Sequence, residues 1–105
     1  MADKLPPMWV LFRFGPMQVL QIVGDSMIEA GIASGDFAII EEARPCVSGD
    51  IAVVRVTQRY IKRVYFHPGC VELRPANRSM TPLFVYPPDS VEVIGRVEEI
   101  VRRYE

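Results

Sequence analysis

Tyr60-Ile61-Lys62-Arg63-Val64-Tyr65-Phe66-His67-Pro68-Gly69-Cys70 is the stretch whose reading decides the fold of this chain. Its first seven residues are rich in β-branched and aromatic side chains, and Pro68-Gly69 ends the run in a turn. The pattern predicts a strand over residues 60–66, a turn at 67–69 and a returning strand over 70–74. The same punctuation extends in both directions, with nine prolines and seven glycines dividing short runs of Val and Ile. Upstream it predicts strands at 17–23, 37–41 and 51–57, a loop at 43–49 holding Pro45 and Gly49, and a hairpin turn at Gln58-Arg59. Residues 26–33 read as a short helical or turn segment, with Met27, Ala30 and Ile28 available to face inward. Downstream, 75–82 is loop and 83–86 extended, and 91–102 forms a long closing strand with Val91, Val93, Val97 and Ile100 as its apolar residues. Helix is an alternative for residues 98–103, but Val and Ile favour strand. The expectation is a mostly β, compact antiparallel domain over 17–105, preceded by an N-terminal extension at 1–16.

The 105 residues suffice for one domain with a real core. Half are hydrophobic, about a quarter are charged and the net charge is −1, which supplies no chain-wide basic field for nucleic acid. Arg55, Arg59, Arg102 and Arg103 accordingly read as a solvated face. Cys46 and Cys70 have neither a disulfide-framework nor a zinc-site pattern and read as reduced thiols of a cytoplasmic protein. No run is apolar for long enough to cross a membrane, and the 8–12 run is broken by Arg13 and lacks the features of a signal peptide. No metal, cofactor or phosphate-binding loop is expected.

The chemistry in the sequence is carried by a serine and a lysine. Ser26 sits in Gly24-Asp25-Ser26-Met27, and Lys62 follows 36 positions later. A serine hydroxyl becomes a nucleophile only if a base takes its proton, and His67 is the one histidine in the chain. A lysine buried in an apolar strand is the other route, because burial favours the neutral amine. Strand alternation places Tyr60, Lys62, Val64 and Phe66 on one face and Ile61, Arg63 and Tyr65 on the other. If the first face is the inner one, Lys62 is the desolvated amine; by pattern alone a strand lysine more often snorkels outward. Gly24 permits a sharp turn, Asp25 can cap the segment after it, and the amides of Asp25 and Ser26 would point to the mouth of the site, where amides stabilise an oxyanion. Met27 lines the pocket or the core. Asp36 and Asp50 follow glycines and read as turn formers. Cys46 and Cys70 make poor nucleophile candidates, because only His67 lies near either and the Pro-Gly turn accounts for it.

Taken together, Val23-Gly24-Asp25-Ser26-Met27, Gly31-Ile32, Gly35-Asp36, Gly49-Asp50-Ile51-Ala52-Val53-Val54, Ile61-Lys62-Arg63, Leu73-Arg74-Pro75-Ala76-Asn77, Thr81-Pro82 and Val93-Ile94-Gly95-Arg96-Val97 resemble, in order and spacing, the LexA-type peptidase domain shared by LexA, UmuD and phage repressors. The resemblance covers residues 18–103. It implies a serine endopeptidase of the autoproteolytic type, with Ser26 as nucleophile, Lys62 as general base and the Asp25 and Ser26 amides as oxyanion hole. It also implies a homodimer formed through C-terminal strands, with 91–101 as the self-pairing edge, a protein substrate or partner, no direct contact with nucleic acid or membrane, and an SOS or phage regulatory setting. Signal peptidases are similar in the Ser-Met turn and the Tyr-Ile-Lys-Arg-Val strand followed by Pro-Gly, but Ile28-Glu29-Ala30-Gly31 replaces the proline they usually carry there.

The chain departs from the LexA pattern upstream. Members cut themselves at a small-residue–Gly bond, whereas the glycine here lies between Phe14 and Pro16. No self-cleavage site and no DNA-binding segment are therefore expected within these residues. A processed or shortened product, a stand-alone member acting on another protein, and a non-enzymatic dimerisation or partner-binding module all remain compatible with the sequence.

Overall fold

A computed structural model describes residues 10–42 and 45–102. The described residues form eight strands: β1 (Val10–Phe14), β2 (Met17–Gln21), β3 (Phe37–Glu41), β4 (Ile51–Arg55), β5 (Arg59–His67), β6 (Cys70–Arg74), β7 (Leu83–Val85) and β8 (Glu92–Val101). They make one antiparallel sheet in the order β1-β2-β3-β8-β4-β5-β6-β7. Among the described residues the one short helical piece is a 3-10 turn, Ile28–Ala30, just after Ser26. The mostly β antiparallel fold expected from the sequence is the one observed. Among the described residues no helix is long and apolar enough to cross a membrane.

Part of the 1–16 segment belongs to the sheet, since residues 10–14 pair with β2 as β1. Residues 1–9, Ala43, Arg44 and Arg103 lie outside the described residues. The closing segment is strand through Val101, as its Val and Ile content favoured.

Two cores flank the sheet. One gathers Leu20, Ile22, Met27, Ile32, Ala38, Ile40, Val53 and Ile61; the other gathers Ala52, Val54, Val64, Leu73 and Val85. Consecutive residues of β4 alternate between them, so Ile51-Ala52-Val53-Val54 has no polar member: both its faces are covered. Ile61 and Val64 divide β5 between the two cores in the same way. Phe66, at the far end of the face shared with Lys62 and Val64, emerges at 44% exposure. Each fully buried Leu or Ile contributes about 1.5–3 kcal/mol. Gln18, a polar residue buried on β2, is satisfied by the carboxylate of Glu42.

β8 holds the two halves together. It pairs with β3 over residues 96–101 and with β4 over 92–96. Its register slips once in each ladder, leaving Glu98 and Ile94 as extra residues. Such bulges bend a strand and increase its twist, and they let one strand serve two neighbours. Between them Gly95 is buried against Ile40, whose Cδ1 lies 3.0 Å from where a Cβ would stand. β8 is thus an inner strand, covered by β4 along residues 92–96 and by β3 along residues 96–101.

Candidate functional site

Ser26 sits on a loop, residues 22–36, that leaves the end of β2 and returns to β3. Its base is closed by the Ile22 amide donating to the Asp36 carbonyl (2.8 Å) and the Gly35 amide donating to the Ile22 carbonyl (2.9 Å). Gly24 has φ +91°, a left-handed conformation that a side chain would strain, and its amide donates to Ser34 Oγ (3.2 Å). Beyond the serine, the Asp25 carbonyl accepts the Ile28 amide (3.2 Å), and the 3-10 turn ends at Gly31, φ +81°. Among the described residues the Asp25 side chain makes no cap to this turn; its backbone carbonyl accepts the Ile28 amide instead.

Of the residues expected to face inward, only Met27 does. It is 1% exposed and fills the first core, while Ile28 and Ala30 are exposed, because a single 3-10 turn buries one side chain at its start and turns the next outward. Met27 therefore anchors the serine loop from the core side; its Sδ accepts the Ala76 amide at 3.3 Å.

The loop rests against β5. Ser26 Oγ is half-buried and donates to the Ile61 carbonyl at 3.4 Å, a long contact. That carbonyl belongs to the peptide group joining Ile61 to Lys62. β6 pairs with β5 only from Arg63 onward, so residues 60–62 have no β6 partner at the place where Ser26 docks. Lys62 is half-buried, with its Nζ 5.3 Å from the centre of the Tyr60 ring. Burial pushes its pKa below the ordinary lysine value of 10.5. Among the described residues no carboxylate lies within ion-pair distance to hold the ammonium form. The neighbouring Arg63 is also half-buried, and donates to the Gly49 carbonyl at 2.8 Å.

The amides of Asp25 and Ser26 donate to no acceptor among the described residues. The Ser26 hydroxyl thus lies on the carbonyl of the Ile61–Lys62 peptide group, and Lys62 carries a half-buried amine on the same strand. Cys46, by contrast, is half-buried and its thiol pKa is raised, first by burial and then by Asp50, which disfavours the thiolate. His67 is engaged elsewhere, its Nε2 2.7 Å from Glu72 Oε1.

Two supports of the serine loop escape sequence reading. Residues 75–78, leaving β6, lace onto it: Asn77 Nδ2 donates to the Asp25 carbonyl (2.9 Å), the Glu29 amide to the Ala76 carbonyl (2.7 Å), and Arg78 to Glu29 Oε2 (2.9 Å). On the other side Arg102, read as part of a solvated face, grips the buried Asp36 through two hydrogen bonds of 2.9 and 2.8 Å and donates to the Gly31 carbonyl at 3.0 Å. The Arg102 contact is the first cause holding the Asp36 carboxyl below its ordinary value of 3.8. The glycine before Asp36 hinted at the turn; nothing in the sequence paired it with a residue 66 positions away.

Comparison with known proteins agrees with this architecture. The profile of the family described as Peptidase S24-like matches residues 3–98. The LexA repressor of Clostridium acetobutylicum is 44% identical over 87 residues, covering 82% of this chain and 41% of the relative. The LexA repressor of Syntrophomonas wolfei is 41% identical over 86 residues (81% and 41%), and that of Clostridium perfringens 38% over 87 (82% and 41%). The chain spans about two fifths of the length of these curated relatives. With its serine loop, lysine strand and antiparallel sheet, this chain belongs to the Peptidase S24-like family.

Proposed function

We propose that this domain is a serine endopeptidase working through a Ser26–Lys62 dyad. One observation carries the reading: the Ser26 hydroxyl docks on the peptide group of Lys62, whose amine is desolvated and unpaired with any carboxylate among the described residues. In the resting state Ser26 Oγ–H is committed to the Ile61 carbonyl, so a rotation about the serine side chain precedes its transfer of the proton to Lys62 Nζ. Catalytic hydrogen bonds commonly tighten only when substrate is bound.

Neutral Lys62 then accepts the Ser26 proton as Oγ attacks a peptide carbonyl. The C=O pair moves to oxygen, and the Asp25 and Ser26 amides hold the resulting oxyanion. The intermediate collapses by breaking the C–N bond, and the leaving amine takes the proton from the Lys62 ammonium. Water, deprotonated by the again-neutral Lys62, hydrolyses the acyl-enzyme.

A regulatory setting such as that of LexA-type repressors suits this machinery, with a protein as substrate. A second reading, a homodimerising or partner-binding module without catalysis, is favoured by the stretches of β8 that only one of β3 and β4 pairs among the described residues. Intact mass after exposure to a serine-reactive fluorophosphonate separates the two. The peptidase reading requires one adduct, absent in Ser26→Ala and Lys62→Ala; no adduct in the wild-type chain, with self-association retained in both variants, would favour the module.

A further inference from the structure

We infer that Asn77 is the positioning residue of the oxyanion hole: it holds and polarises the peptide group whose N–H is the Ser26 donor. The inference rests on the peptidase reading above. The carbonyl of Asp25 and the amide of Ser26 belong to one planar peptide unit. Asn77 Nδ2 donates to that carbonyl at 2.9 Å. A hydrogen bond received at the oxygen draws electron density from the nitrogen and strengthens the N–H on the other side as a donor. It also fixes the direction of that N–H.

The orientation of the Asn77 amide is set by its other end. Asn77 Oδ1 accepts the Ser79 amide at 2.9 Å, and the Asn77 carbonyl accepts the Met80 amide at 3.0 Å. Because the oxygen is engaged by a donor, the nitrogen must be the atom facing the Asp25 carbonyl. Asn77 is therefore a bracket. Its oxygen locks its own turn, and its nitrogen reaches 52 positions back to the serine loop. The remaining contacts of this segment, from Ala76 to Met27 and from Arg78 to Glu29, fix the loop's position but leave the Asp25–Ser26 peptide untouched.

Two substitutions separate the roles of the side chain. Asn77→Asp and Asn77→Ser each keep an oxygen able to accept the Ser79 amide, and each removes the Nδ2 group that reaches the Asp25 carbonyl, which the shorter serine hydroxyl does not replace at that distance. Arg78→Ala, which deletes the exposed ion pair to Glu29, is the control for loosening the segment. The readouts are the fluorophosphonate acylation rate against pH, the thermal midpoint, and the Ser26 amide nitrogen chemical shift, which responds to hydrogen bonding at the preceding carbonyl. Removing one oxyanion donor outright costs about 100-fold or more, so weakening one is expected to lower the high-pH acylation plateau ~10-fold in both Asn77 variants. The pH midpoint stays in place in Asn77→Ser, and Arg78→Ala keeps the wild-type plateau. The Ser26 nitrogen signal moves in the Asn77 variants and not in Arg78→Ala. A wild-type plateau in folded Asn77→Ser, or an unmoved Ser26 signal, overturns the inference. If the wild-type protein takes no adduct, the peptidase reading fails, and the Ser26 signal alone still decides whether Asn77 polarises this peptide.

Discussion

Replacing Arg102 with alanine removes two hydrogen bonds to Asp36 and one to the Gly31 carbonyl, leaving a carboxylate whose side chain is 4% exposed. Breaking a fully buried ion pair costs about 3–5 kcal/mol. Here the Arg102 side chain is 49% exposed, so water replaces part of what is lost, and Asp36 keeps the Ala33 amide at 2.8 Å. Solvent screening on the arginine side brings the expected loss to about 2 kcal/mol. For a domain of this size that lowers the thermal midpoint by roughly 10 °C. The effect carries a pH signature. The folded pKa of Asp36 is depressed below 3.8, so the pair contributes fully above the unfolded value and fades as pH falls through the folded one. Urea unfolding of both proteins should show the full difference at neutral pH and a shrinking one below 3.8. A difference under ~0.5 kcal/mol at neutral pH, within the range of ordinary surface changes, or one that does not vary with pH, would refute the reasoning.

Three further expectations follow from the packing and the charges. Gly95→Ala places a methyl 3.0 Å from Ile40 Cδ1 and 3.3 Å from the Glu41 carbonyl oxygen, and should cost about 1–3 kcal/mol. Adding Ile40→Val should make the double variant less unstable than the two single losses summed, and strict additivity would contradict the proposed contact. Glu72 is held at about 2, first by Arg74 and then by His67, so its share of stability is complete above 4.5 and disappears as pH falls towards about 2. Glu72→Gln should therefore flatten the acid limb of unfolding followed by circular dichroism; superimposable acid limbs would count against it. Ile61→Ala, emptying a site 2% exposed beneath the serine contact, should destabilise by about 2–5 kcal/mol in denaturant titration, and a loss below ~1 kcal/mol would show that the site collapses freely.

Where local pattern sufficed, the sequence was legible. The Phe37–Glu41 and Cys70–Arg74 strands come out to the residue, because Gly-Asp before the first and Pro-Gly before the second fix their starts. The serine turn was readable from Gly24, whose positive φ the structure requires. What stayed hidden depended on distant partners. The bulges at Ile94 and Glu98 arise because β8 must satisfy two strands at different registers, which no periodicity within 92–101 records. Strand alternation put Ile61 and Lys62 on opposite faces, but could not show that both faces of β5 are covered near its centre. The Asp25 side chain looked like a cap by residue type, yet the backbone carbonyl took the role and in turn received Asn77. Asn77 and Arg102 stand 52 and 66 positions from their partners, beyond the reach of local pattern.

The central claim is that a neutral Lys62 activates Ser26, and the pH dependence of Ser26 acylation by a fluorophosphonate tests it most directly. Burial lowers the Lys62 pKa, so the rate should rise with pH through a midpoint below 10.5. It should vanish in Lys62→Arg, whose guanidinium stays protonated throughout. A rate independent of pH, or a Lys62→Arg variant that labels as fast as the wild-type protein, would contradict the account.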